Sequence, residues 1–109
     1  MPKFMFHGSY TAHGSVGVLK EGGMGRAAAL DELMTSLGGS ILSHYWSFGG
    51  DDFFIVAELP DPSAAVVANL AFNASGAVHV TMTQLMSASE LDEAVGRAGP
   101  VVDYRPPGA

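Results

Sequence analysis

"SILSHYWSFGGDDFFIVAEL", residues 40–59, is the stretch on which the fold turns. Two runs rich in aromatic and branched side chains, Ser40 to Phe48 and Asp52 to Leu59, flank Gly49, Gly50 and Asp51. Such runs suit strands, and the permissive glycine backbones can adopt the positive φ angles of a tight connection, so the segment predicts an antiparallel hairpin with Gly49, Gly50 and Asp52 as its structural turn. A phosphate-binding loop would set its glycines ahead of a helix with a lysine behind them, whereas "GGDD" feeds a strand and has no cation nearby. The adjacent carboxylates Asp51 and Asp52 lack both an EF-hand spacing and further oxygen donors, so no metal site is expected.

Outward from the hairpin, "KFMFHGSY" (Lys3 to Tyr10) is an apolar run without helical period and reads as a central strand. "TAHGSVGVLKEGGMG" (Thr11 to Gly25) holds five glycines. Because each costs a helix interior about 1 kcal/mol relative to alanine, this segment is expected to be a loop with at most a short helical turn, placed to act as a flap beside a pocket. From Arg26 onward, Leu30, Leu33, Met34 and Leu37 make one apolar helical face, stopped by Gly38 and Gly39. Beyond the hairpin, Asp61 is placed as an N-cap with Pro62 at the first helical position, and Val66, Val67, Leu70 and Ala71 continue a helix that Gly76 ends. "AVHVTMTQL" (Ala77 to Leu85) alternates as a strand does, and Ser87 with Glu90 forms a capping box ahead of a short third helix.

The order strand, helix, strand, strand, helix, strand predicts an α+β, ferredoxin-like βαββαβ fold: a four-stranded antiparallel sheet, helices on one face and a short C-terminal helix. Residues 1–98 form the single domain and 99–109 a tail containing proline and glycine. The chain's 109 residues, 48% of them hydrophobic, suffice for one core and not for two. Runs such as "KFMF" and "DFFIVAEL" are apolar on both sides while the helices can cover one, so a homodimer or higher homo-oligomer that packs the bare sheet faces together is expected.

A net charge of −6 leaves no basic face for a phosphate backbone, which argues against nucleic acid. No apolar run approaches the roughly 20 residues of a membrane span, and "MPKFMF" lacks the features of a secretory signal, so no membrane partner and a cytoplasmic location are expected. The chain has no cysteine, which removes disulfides, thiolate nucleophiles and cysteine-bound metals. No cofactor is expected.

"YWSFGGDDFFIVAELPD" (Tyr45 to Asp61), with "GSYTAHG" (Gly8 to Gly14) and "LGGSIL" (Leu37 to Leu42), resembles the GYD-domain family over about Lys3 to Val95. The resemblance implies a small bacterial protein of the dimeric α/β-barrel type, without implying a specific activity. In that family the hairpin carries a glycine, a variable residue, an aromatic and an aspartate. Gly49 and Asp52 match, Asp51 stands where the tyrosine would be, and Glu58, Pro60 and Asp61 fit the family's pattern after the hairpin.

The histidines carry the remaining chemistry. Strand parity sets His79, Thr81 and Thr83 opposite the valines, sets His7 with Met5 and Ser9, and gives Glu58 the side of Val56 and Phe54. This parity allows a polar patch of His7, Glu58 and His79 on the bare sheet face, completed by either His44 and Trp46 or Ser43 and Tyr45 from the second strand. These three are the candidates for acid/base work, with Tyr45 or Trp46 as the apolar wall of a ligand site. Set against this is a patch that only fixes dimer register through hydrogen bonds. The functions that remain are binding of a small, mostly apolar molecule, a non-catalytic assembly or ligand-sensing module, and, by analogy with dimeric α/β barrels, a cofactor-independent monooxygenase or isomerase.

Overall fold

The computed structural model describes residues 1–99 and 103–109. Its elements run β1 (Lys3–Tyr10), α1 (Ala12–Ser36), β2 (Ser40–Trp46), β3 (Phe53–Glu58), α2 (Pro62–Ala74), β4 (Val78–Leu85) and α3 (Ala88–Ala98). The strands form one sheet in the order β2-β3-β1-β4, every neighbouring pair antiparallel. This is the ferredoxin-like arrangement, with the 40–59 hairpin supplying β2 and β3.

Alternation along the strands builds the core. Phe4 and Phe6 of β1 and Phe53, Ile55 and Ala57 of β3 face the helices and are buried, where they meet Leu30 and Met34 of α1 and Ala65 and Ala68 of α2. Phe6 meets Phe72 edge to face at 5.4 Å. Among the described residues the main helix contacts with the sheet come from α1 and α2, and α3 buries none of its own residues.

The helix boundaries reflect local chemistry. Asp61 accepts a hydrogen bond from the Ala64 N–H at 2.8 Å with Pro62 behind it, and Ser87 and Glu90 close both halves of the capping box, at 3.2 and 3.1 Å. Gly38, at φ +82°, ends α1, with the Gly39 and Gly38 N–H groups bonding the Met34 and Thr35 carbonyls as a Schellman motif requires. The amide of Asn73, on α2, bonds both the N–H and the C=O of Val80, at 2.8 and 3.1 Å.

Two expectations are corrected. Residues Thr11 to Gly25 are not a loop: α1 begins at Ala12 and runs through them, broken by a kink at Gly22 (φ 70°, ψ 177°). Thr11 caps the helix by accepting the Gly14 N–H at 3.2 Å, while its own N–H and hydroxyl bond the carbonyls of Ala77 and Gly76. Gly14 sits so close to the Ala77 carbonyl oxygen that a Cβ would overlap it. The glycine that weakens helix propensity is thus the residue that lets α1 dock on the start of β4, and tertiary contact outweighs local preference.

The second correction concerns the hairpin. Its positive φ falls on Phe48 (52°), and neither Gly49 nor Gly50 takes one. The turn is held instead by the Ser47 N–H on the Asp52 carbonyl at 3.0 Å and the Ser47 hydroxyl on the Asp51 carbonyl at 2.6 Å. Of the expected tail, residues 100–102 lie outside the described residues.

Candidate functional site

Register decides which polar side chains meet. On the open face Lys3 lies opposite Glu58, His7 opposite Phe54 and Ser9 opposite His79. His7, Glu58 and His79 therefore do share the uncovered face. They do not form one cluster: at about 3.3 Å per residue, Glu58 lies some 13 Å along the sheet from His7 and about 20 Å along it from His79. Each of the first two has a partner of its own. Glu58 pairs with Lys3 at 3.6 Å, and His7 Nδ1 meets the Asp51 carboxylate at 2.9 Å while the ring stacks on Phe54 at 6.2 Å. His79 is exposed.

The two aspartates of "GGDD" thus have separate tasks. Asp51 holds His7, and Asp52 accepts the Tyr10 N–H at 2.9 Å, tying the end of β1 to the hairpin. Neither converges on a cation: among the described residues no three His, Asp or Glu side chains are grouped as a metal site would require.

β2 resolves the alternative left by its sequence. A bulge between Ile41 and Ser43 shifts its parity, so that Ser43 and Tyr45 lie on the open face, opposite Val56 and Phe54. Tyr45 is 70% exposed there. His44 and Trp46 turn to the helix side, opposite Ile55 and Phe53. Trp46 is therefore no wall of the open-face patch. Its indole N–H donates to the Tyr10 hydroxyl at 2.8 Å, and its ring stacks on His44 with centroids 4.0 Å apart.

Among the described residues, a concave feature lies on that helix side. A half-open cavity of about 490 Å³ lies between α1, α2 and the sheet, floored by Tyr10, Leu30, Phe53, Ile55 and Phe72 and walled on the β2 side by His44. Its volume is that of sites for small organic molecules, commonly about 300–1,000 Å³. Ionisable groups of α1, Lys20, Glu21 and Arg26 among them, stand at its margin. Arg26 is already occupied by Glu21 at 3.2 Å.

His44 is the group that sequence reasoning placed only as an alternative partner and that the structure singles out. Its Nδ1 is buried with no hydrogen-bond partner. Burial holds the imidazole below its usual pKa, the Asp31 carboxylate opposes that, and the Arg26 guanidinium adds to it. The ring is neutral at pH 7. Its signal in the sequence was weak, because a single histidine in an aromatic strand is indistinguishable from a stacked core residue until the bulge in β2 is known. His13, in α1, also lines the cavity.

Comparison with known proteins adds one finding. The family model described as GYD domain matches residues 4–95. No curated protein and no solved structure matches the chain.

Proposed function

The chain belongs to the GYD-domain family, and on that premise we propose that it is a homodimer that binds a small, mostly apolar molecule in the cavity between α1, α2 and the sheet. One observation carries the ligand reading: a cavity of about 490 Å³ with an aromatic and aliphatic floor has in its wall a histidine whose buried nitrogen has no partner. Unpaired buried polar atoms cost about 1–3 kcal/mol, and proteins retain them chiefly where function repays the loss of stability. His7 and Glu58, by contrast, are satisfied within the chain, which favours a structural part for the open-face patch.

The dimer reading draws on the same division of faces. Met5, Phe54 and Val56 lie half-buried on the open face beside exposed Tyr45, an apolar strip flanked by the Lys3–Glu58 and His7–Asp51 pairs. An apolar centre with a polar rim is the usual anatomy of a contact between subunits. No helix among the described residues is long and apolar enough to cross a membrane.

Native mass spectrometry of the protein as purified tests both parts together, reading oligomer mass and bound small molecules in one spectrum. The expected result is a dimer carrying an adduct that is lost in Ala71→Trp, where an exposed α2 position lining the cavity is filled while the dimer persists. A bare monomer at micromolar concentration, unchanged by that substitution, overturns the proposal. A second reading, a cofactor-independent monooxygenase or isomerase, draws on the same imidazole, whose N–H would polarise a carbonyl held against the apolar floor. Recovery of the bound molecule unchanged after incubation in air, or as an oxidised or isomerised product, separates binding from turnover. A ligand-sensing module corresponds to the first outcome.

A further inference from the structure

The atoms of His44 say which chemical class the cavity accepts. Nδ1 is buried and has no partner, so any contact between this ring and an occupant of the cavity is made through Nε2. The proton of the neutral ring has two places to go. On Nδ1 it would be a buried N–H donating to nothing, an arrangement rarer in proteins than an unmatched lone pair. On Nε2 it becomes a donor offered to the cavity. The ring therefore presents N–H, and an occupant must answer with an acceptor.

Charge narrows the class further. Of the cations at the margin, Arg26 is bound to Glu21 at 3.2 Å and Lys20 is exposed to solvent, while Asp31 and Arg26 act on the imidazole in opposite senses. The molecule as a whole carries −6. An anion would gain no free guanidinium, would find at the margin only the solvated ammonium of Lys20, and would have to be desolvated over the floor of Phe53, Ile55 and Phe72. A hydroxyl donor would meet N–H with O–H and use only its weaker accepting capacity. A carbonyl oxygen on an uncharged apolar body satisfies both conditions.

Resting on the reading of this cavity as the ligand site, we propose that it selects a neutral, mostly apolar molecule small enough for about 490 Å³ and bearing a carbonyl oxygen that accepts a hydrogen bond from Nε2–H of His44. The rest of the molecule lies on the aromatic and aliphatic floor, and Trp46, stacked on the imidazole at 4.0 Å, keeps the ring in place. The bond adds selectivity more than affinity, because it exchanges for one the carbonyl already makes to water.

Three probes with one skeleton test this: 2-acetylnaphthalene, 2-ethylnaphthalene and 2-naphthoate, titrated against the full chain by calorimetry and ligand-observed NMR. The ketone is expected to bind about three- to tenfold more tightly than the hydrocarbon, as one neutral hydrogen bond implies, and the naphthoate more weakly than either. His44→Phe should abolish the difference between ketone and hydrocarbon while keeping the binding of both. Imidazole nitrogen shifts of the unaltered protein supply a readout that does not depend on the variant folding: the His44 ring should hold its proton on Nε2, free and bound, with the Nε2 resonance moving only for the ketone. Equal binding of ketone and hydrocarbon, or a resonance that ignores the ketone, overturns the carbonyl assignment and leaves the apolar site standing. Tightest binding of the naphthoate overturns the neutral class. Binding of none of the three overturns this inference and the ligand site together.

Discussion

The two faces of the sheet solve the same problem differently. On the open face, four ionisable groups stand in pairs from the same chain, Lys3 with Glu58 and His7 with Asp51, and His79 is exposed to water. On the helix side the buried residues are apolar, and two half-buried polar side chains there, His44 and Asn69 of α2, each have a buried atom with nothing to bond. A count of polar residues would seek function on the open face. Asking which polar atoms are unsatisfied leads to the opposite side, where one of the two, on His44, belongs to a residue that lines a cavity.

The largest expected effect separates the faces by burial. Phe6→Ala should destabilise the chain by about 3–5 kcal/mol, since it removes a fully buried ring packed on Phe72. Phe54→Ala, on the open side of the neighbouring strand, should cost about 1 kcal/mol in the folded subunit and act mainly on association. Urea unfolding alongside sedimentation reads the two quantities. Similar unfolding losses for both would erase the distinction between a core face and an open face.

A smaller contrast lies within α1. Gly14→Ala forces a methyl group into the Ala77 carbonyl and should cost about 1–3 kcal/mol. Gly17→Ala, one turn on and with open space around it, should gain about 0.5–1 kcal/mol from helix propensity. Thermal melts of the pair show whether the helix is held at its docked end; destabilisation by both would mean that the whole first half of α1 is closely packed.

His44→Phe comes next and sharpens the comparison through pH. The folded-state pKa of His44 is depressed, so between that value and the unfolded value near 6.5 the unfolded chain binds more protons, and stability falls as pH drops through this window. Phenylalanine should gain about 1 kcal/mol at pH 7 by removing the unpaired nitrogen, and should flatten the stability profile between pH 7 and 5. A variant whose profile keeps the slope of the parent would assign the pH dependence elsewhere. The smallest effect is expected of Glu58→Gln on the open face, about 0.2–1 kcal/mol and weaker still in high salt, because its pair with Lys3 is largely solvated. A loss above about 2 kcal/mol in the monomeric state would show the open-face pairs to be true core elements.

What was legible in the sequence was what local chemistry determines. Asp61 with Pro62, Ser87 with Glu90, Gly38 after an apolar stripe and the two runs of the hairpin each announce an element boundary from within a few residues, and together they specify the order of the fold. The first half of α1 was not legible, because the partners that license it, Gly76 and Ala77, lie about sixty residues further on than Thr11 and Gly14. The candidate site fared similarly. Period-two alternation placed His7, Glu58 and His79 on one face, and it could not supply their distances or their partners. For β2 even the face was open, since one extra residue at Leu42 reverses the parity of everything after it, which moved His44 and Trp46 to the cavity side.

The clip between Asn73 and Val80 bears on a hazard that any sheet of this kind faces. β4 is an outer strand, and the N–H and C=O of Val80 that point away from β1 are the groups onto which a stray strand from another molecule would zip. The Asn73 amide occupies both at once, in the manner of a one-residue strand that goes no further. At the opposite border the irregularity in β2 breaks the even ladder that fibril growth needs. Crowded chains can therefore meet face to face without the sheet becoming a template for its own polymerisation.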